Sequence, residues 1–75
     1  MTLTLSTYTN EDGERRYTVI FQGSPLMSST TDHRRALSVL DSNIRMIGKG
    51  APVAVTVYDG DAGTERPWMP ADAII

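Results

Sequence analysis

At 75 residues the chain has room for one domain around one modest core, too little to wall off a large substrate cleft. It holds no cysteine, so neither a disulfide framework nor a thiolate metal site can staple it. A net charge of −2 argues against a protein that coats DNA, and neither a basic n-region nor a bilayer-length apolar run is present, so a soluble cytoplasmic protein is expected.

The first element is TLTLSTYT, Thr2 to Thr9, where Thr alternates with Leu3 and Leu5 as in a half-buried strand. Asn10, Glu11, Asp12 and Gly13 follow with turn chemistry, which predicts a hairpin. The returning strand, Arg15 to Gln22, sets Tyr17, Val19 and Phe21 on one face against Arg16, Thr18, Ile20 and Gln22 on the other, and the first set is the expected core face. Gly23, Ser24 and Pro25 break it. A helix is predicted from near Asp32, capped by Thr31 or Thr30. Along it Leu37, Leu40, Ile44 and Ile47 recur at helical spacing with Ala36 beside them, giving one apolar stripe. Arg34, Ser38, Asp41 and Arg45 fall opposite, with Asp41 placed to pair Arg45 one turn on, and Gly48 is the expected stop.

Pro52 opens the next strand, Val53 to Tyr58, whose three valines share a face. Thr64 to Met69 reads as a short strand that Pro67 confines to a sheet edge. The tail ends in Ile74 and Ile75, expected to pack on the domain or on a neighbour. Together these elements predict an α+β fold, ββαββ, as a single small domain over 1–75, with one helix packed on one face of a small antiparallel sheet.

No motif predicts catalysis, a cofactor or a metal. VYDGDAGTERPW, Val57 to Trp68, gathers Asp59, Asp61 and Glu65 around two glycines. A calcium loop needs more oxygen ligands, a closing Glu further on and flanking helices, so a hairpin turn is expected. His33, the one histidine, falls on the first turn of a capped helix, where a surface residue is expected, and a domain this small forms little of the cleft that His-assisted nucleophilic catalysis would need. GKGAP, Gly48 to Pro52, follows a helix, whereas a phosphate loop precedes one.

What remains is recognition. Between Asp32 and Gly50 four basic residues (Arg34, Arg35, Arg45, Lys49) face two acidic ones, while the rest of the chain has three basic against seven acidic. Six of the seven cations are arginine, which forks onto carboxylates and phosphates. Arg34, Arg35, Arg45 and Lys49 are therefore the expected anchor for an acidic partner. Tyr58 and Trp68, with Met69, are expected as an aromatic patch of the kind enriched at interface hot spots, against the alternative that Trp68 is core. The same arginines could hold phosphates, which makes nucleic-acid binding the alternative. The expected function is thus non-enzymatic protein binding, with a homodimer through an edge strand as a further expectation.

Two resemblances bear on this. The segment YTVIFQGSPLMSSTTDHRRAL, Tyr17 to Leu37, resembles the strand-loop-helix of HicB-type antitoxins through Tyr17, Val19, Phe21, Pro25, Asp32 and Ala36, with Leu26-Met27 where that family carries a glycine-cysteine pair. That likeness implies an antitoxin-type accessory protein. The size, acidity and ββαββ layout resemble the phage-encoded anti-CRISPR inhibitors, and this implies a small phage or mobile-element inhibitor docking on a host defence protein or nucleoprotein complex.

Overall fold

The computed structural model describes residues 1–49 and 52–73, so the expected packing of Ile74 and Ile75 lies outside the described residues. The elements are β1 (Thr2–Thr9), β2 (Arg15–Phe21), β3 (Ser24–Pro25), α1 (His33–Ile47), β4 (Ala54–Asp59), β5 (Thr64–Pro67) and a 3-10 turn (Pro70–Ala73). They form an α+β fold with one helix and a mixed five-stranded sheet in the order β3-β2-β1-β4-β5.

Both predicted hairpins form, β1 with β2 and β4 with β5. The expected antiparallel sheet is nevertheless corrected, because β4 pairs with β1 in parallel, Leu3 opposite Val55 and Leu5 opposite Val57. The cause is a third strand that pattern reading takes for a strand break. Gln22 and Gly23 both have positive φ, 48° and 86°, the signature of a two-residue type I′ turn, and they fold Ser24 and Pro25 back onto Phe21 and Ile20. This adds one reversal of direction. The chain then enters α1, about 22 Å long at 1.5 Å per residue, and returns to the end of the sheet where β1 starts. There the Ala54 amide donates to the Met1 carbonyl (2.9 Å).

The cap of α1 also differs from expectation. Asp32 itself is the N-cap: its Oδ1 accepts from the amides of Arg34 (3.0 Å) and Arg35 (3.2 Å). Thr30 acts one step earlier, its Oγ1 accepting from the Asp32 amide (3.0 Å). At the other end Gly48 closes the helix in a right-handed conformation, its amide bonded to the Ile44 carbonyl. A Cβ there would lie 2.7 Å from that carbonyl oxygen, so close approach, not left-handed φ, calls for glycine.

Strand alternation and helix periodicity meet in the core. Leu3, Leu5, Val19 and Val57 from the sheet and Ala36 and Leu40 from α1 are buried, and Tyr17, Phe21, Leu37, Ile44, Val55 and Trp68 pack around them. On the alternate positions of the central strands none of Thr4, Ser6, Thr18, Ile20, Thr56 or Tyr58 is buried, and the Thr4 and Thr56 hydroxyls bond each other across the parallel pair (3.0 Å). Both sheet edges are short and carry a proline, Pro25 in β3 and Pro67 in β5, which blunts strand addition.

The VYDGDAGTERPW stretch is a turn whose first two acids bind protein donors. Asp59 Oδ1 accepts from the Asp61 (2.9 Å) and Ala62 (3.4 Å) amides. Asp61 reaches back to the end of β1, accepting from the Thr9 amide (3.0 Å), the Thr9 hydroxyl (2.8 Å) and Arg15 (2.6 Å). Gly60 makes room for this return, since a Cβ there would sit 3.1 Å from both the Thr7 carbonyl and the Tyr8 Cβ.

Candidate functional site

The apolar stripe of α1 is wider than the sheet beneath it can cover. Ala36 and Leu40 point straight down and are buried, whereas Leu37 and Ile44 sit on the flank and stay partly exposed. Beside that flank the chain leaves β5 and presents Trp68, whose amide donates to the Val55 carbonyl (3.0 Å). Between helix and indole lies an open groove of about 370 Å³. Leu37, Leu40, Ile44 and Trp68 make it apolar, and Arg34, Ser38 and Asp41 line it as well.

Trp68 is fixed from both sides. Before it, β5 pairs with β4. After it, Arg66 forks onto Asp72 with contacts of 2.8 and 2.5 Å, and Asp72 also accepts from the Met69 amide (2.7 Å). The Arg66 hydrogen bond in the first place, then the Met69 amide and the guanidinium charge, hold the Asp72 carboxyl at about 2, below its ordinary 3.8. This clasp closes the turn behind the indole. The indole Nε1 is shielded from solvent and has no hydrogen-bond partner among the described residues.

Of the residues expected to bind a partner, Arg34 and Trp68 come together on this groove. Arg45 joins them only indirectly, about three turns or roughly 16 Å further along the helix, and it is paired with Asp41 at 2.9 Å. Arg35 lies on the other flank of α1, lining a second depression with Val39, Met27 and Ser29. Lys49 is exposed beyond the helix end. Tyr58 alternates with buried Val57 and so belongs to the opposite side of the sheet, which separates it from Trp68. The strand arginines are also engaged, Arg15 with Asp61 and Arg16 with the Ser29 hydroxyl (3.0 Å) and carbonyl (2.8 Å).

The groove floor was not legible as a site, because Leu37 and Ile44 read as core in any periodic pattern. The available signal was an excess: four stripe residues plus Ala36 on a single helix of so small a domain. Comparison of the chain with protein-family models, with curated proteins and with solved structures returns no match.

Proposed function

We propose that this protein is a non-enzymatic module that binds a protein partner through the groove between α1 and Trp68. The partner inserts an apolar side chain against Leu37, Ile44 and the indole, and sets a carboxylate against Arg34. The observation that carries this reading is the open apolar groove that Trp68 walls and Arg34 lines, because tryptophan and arginine are enriched among the residues that dominate binding energy at interfaces. The size, acidity and layout favour a small cytoplasmic inhibitor of phage or mobile-element origin, docking on a host defence protein or nucleoprotein complex. In this reading α1 covers one face of the sheet and the other stays open.

Charge also favours a protein over nucleic acid. Arg16, Arg45 and Arg66 are bound within the chain and Arg15 is bound through one nitrogen, which leaves, among the described residues, Arg34 and Arg35 on opposite flanks of α1 and Lys49 beyond its end, too scattered to follow a phosphate backbone. One observation supports the alternative: Tyr8 and Tyr58 are both exposed at alternate positions facing away from the core, where bases could stack.

The test compares wild type with Arg34→Glu and Ser38→Tyr, two exposed positions, in affinity capture with and without nuclease. A stoichiometric partner that survives nuclease and is bound at least tenfold more weakly by both variants, at unchanged thermal stability, supports the groove. Undiminished binding by both variants rejects it, and loss of every partner on nuclease treatment, with affinity falling steeply in salt, moves the reading to nucleic acid.

A further inference from the structure

A third pocket, of about 230 Å³, lies on the helix side of the sheet beyond the start of α1, with Leu5, Val57 and Ala71 among otherwise polar or aromatic walls. Thr7 lies in it near the end of β1, Tyr17 is its cross-strand partner, and Arg15, His33, Arg66 and Asp72 close the sides. Its position is the carboxyl end of the parallel pair β1 and β4, where sheets with parallel strands habitually hold ligands.

Three features give the pocket a chemical sense. Thr7 is 7% exposed, and its Oγ1 has no hydrogen-bond partner among the described residues, although a buried hydroxyl left unbonded is costly. His33, expected as a surface residue, is half-buried and stacked on Tyr17, ring centroids 4.7 Å apart at 18°. Both carboxylates nearby are already occupied. Asp72 is held by both terminal nitrogens of Arg66. Asp61 takes only Nη1 of Arg15, which leaves the rest of that guanidinium without a bond among the described residues. The surplus is therefore in donors: the Thr7 hydroxyl, the remaining Arg15 N–H groups and a ring nitrogen of His33. The Arg34 and Arg35 amides at the start of α1 play no part, since the Asp32 side chain accepts from both.

We infer that this pocket binds a small oxyanion, the carboxylate or phosphate group of a compact ligand, with Thr7 and Arg15 as its donors and the Tyr17–His33 stack as its wall. The inference is independent of the groove, because neither Arg34 nor Trp68 lines this pocket.

The experiment titrates the full chain with sodium phosphate and, separately, sodium acetate, followed by amide and side-chain NMR shifts, with sodium chloride at matched ionic strength as reference. Saturable shifts centred on Thr7, Arg15 and His33 are expected, and the tighter of the two anions names the group. Thr7→Val should weaken that binding about tenfold while the free protein melts at the same or a higher temperature, and Thr7→Ser should restore it. Shifts that rise without saturation, that chloride reproduces, or that Thr7→Val leaves unchanged would overturn the site.

Discussion

The helix-side face of the sheet has two ends built from the same strands in the same alternation, yet they have opposite characters. Under α1, Leu3, Leu5, Val19 and Val57 meet Ala36 and Leu40, and all six are buried. Two residues further along β1 and β2 the same face carries Thr7 and Tyr17, then Arg15 from β2 and Arg66 from β5, around a polar pocket. The helix divides the two ends, because it starts at His33 and covers only what lies beyond that point. Alternation decides which face a strand residue occupies; the element above decides whether that face is dry.

The sharpest way to break this comparison is to truncate one residue at each end. Leu40→Ala removes a fully enclosed side chain and should cost about 2–5 kcal/mol, a large part of the roughly 4–11 kcal/mol expected for a chain of this length at typical stability per residue. Urea unfolding should show the midpoint collapsing. Thr7→Val, on the same face, replaces an unbonded hydroxyl with a methyl and should hold or raise the midpoint. Equal losses at both positions would mean that one continuous core runs the length of the sheet.

A smaller effect tests where the dividing helix begins. Asp32→Ala removes the acceptor for two amides and should lower stability by about 1 kcal/mol, whereas Thr31→Ala should stay within a few tenths of wild type by the same rule for residues outside a cap. The reverse ranking in urea midpoints would shift the helix start by one residue and draw the boundary between dry and polar ends elsewhere.

That cap shows how far pattern reading reached. Periodicity placed β1, β2, α1 and β4 because their burial is one-sided, and one-sidedness is written into residue order, whereas β5, exposed throughout, was legible only from the glycine-and-aspartate turn before it. It named Thr31 or Thr30 as the cap because Ser, Thr, Asp and Asn all serve and the local sequence offers several of them. The sheet's mixed direction was hidden more deeply. It hangs on a single turn at Gln22-Gly23, and glutamine is not a residue that advertises a positive φ. Each reversal flips the direction of everything downstream, so one unread turn converts an antiparallel β1–β4 pairing into a parallel one. The candidate site was half visible. Arg34 and Trp68 were legible as residue types suited to interfaces, but their meeting across Leu37 and Ile44 depends on where β5 lets the chain go. The expected partnership of Trp68 with Tyr58 failed for the same reason, since the two residues leave the second hairpin on opposite sides.

The smallest effect concerns the clasp that holds Trp68 and links the two ends of the face, since Arg66 and Asp72 line the polar pocket while the turn they close carries the indole. Arg66 and the Met69 amide lower the Asp72 carboxyl from 3.8 to about 2, and the Thr9 amide and hydroxyl, followed by Arg15, lower that of Asp61. A carboxyl lowered by folding binds fewer protons folded than unfolded, so the Asp72 contribution is complete above about pH 4 and is lost as the pH falls through about 2, and that of Asp61 is likewise lost as the pH falls below the ordinary carboxylate range. Wild type should therefore lose stability across that window, and Asp72→Asn should flatten the loss. The variant should melt below wild type at pH 6, and the gap should narrow toward about pH 2 and close below it. Because Asp72 also fixes the Met69 amide, Asp72→Ala, which removes the acceptor for both that amide and Arg66, should red-shift Trp68 fluorescence at neutral pH as the indole gains solvent. An unmoved emission maximum together with an unchanged acid profile would show that β5 pairing alone positions Trp68, and that the polar end of the face has no hold on the groove.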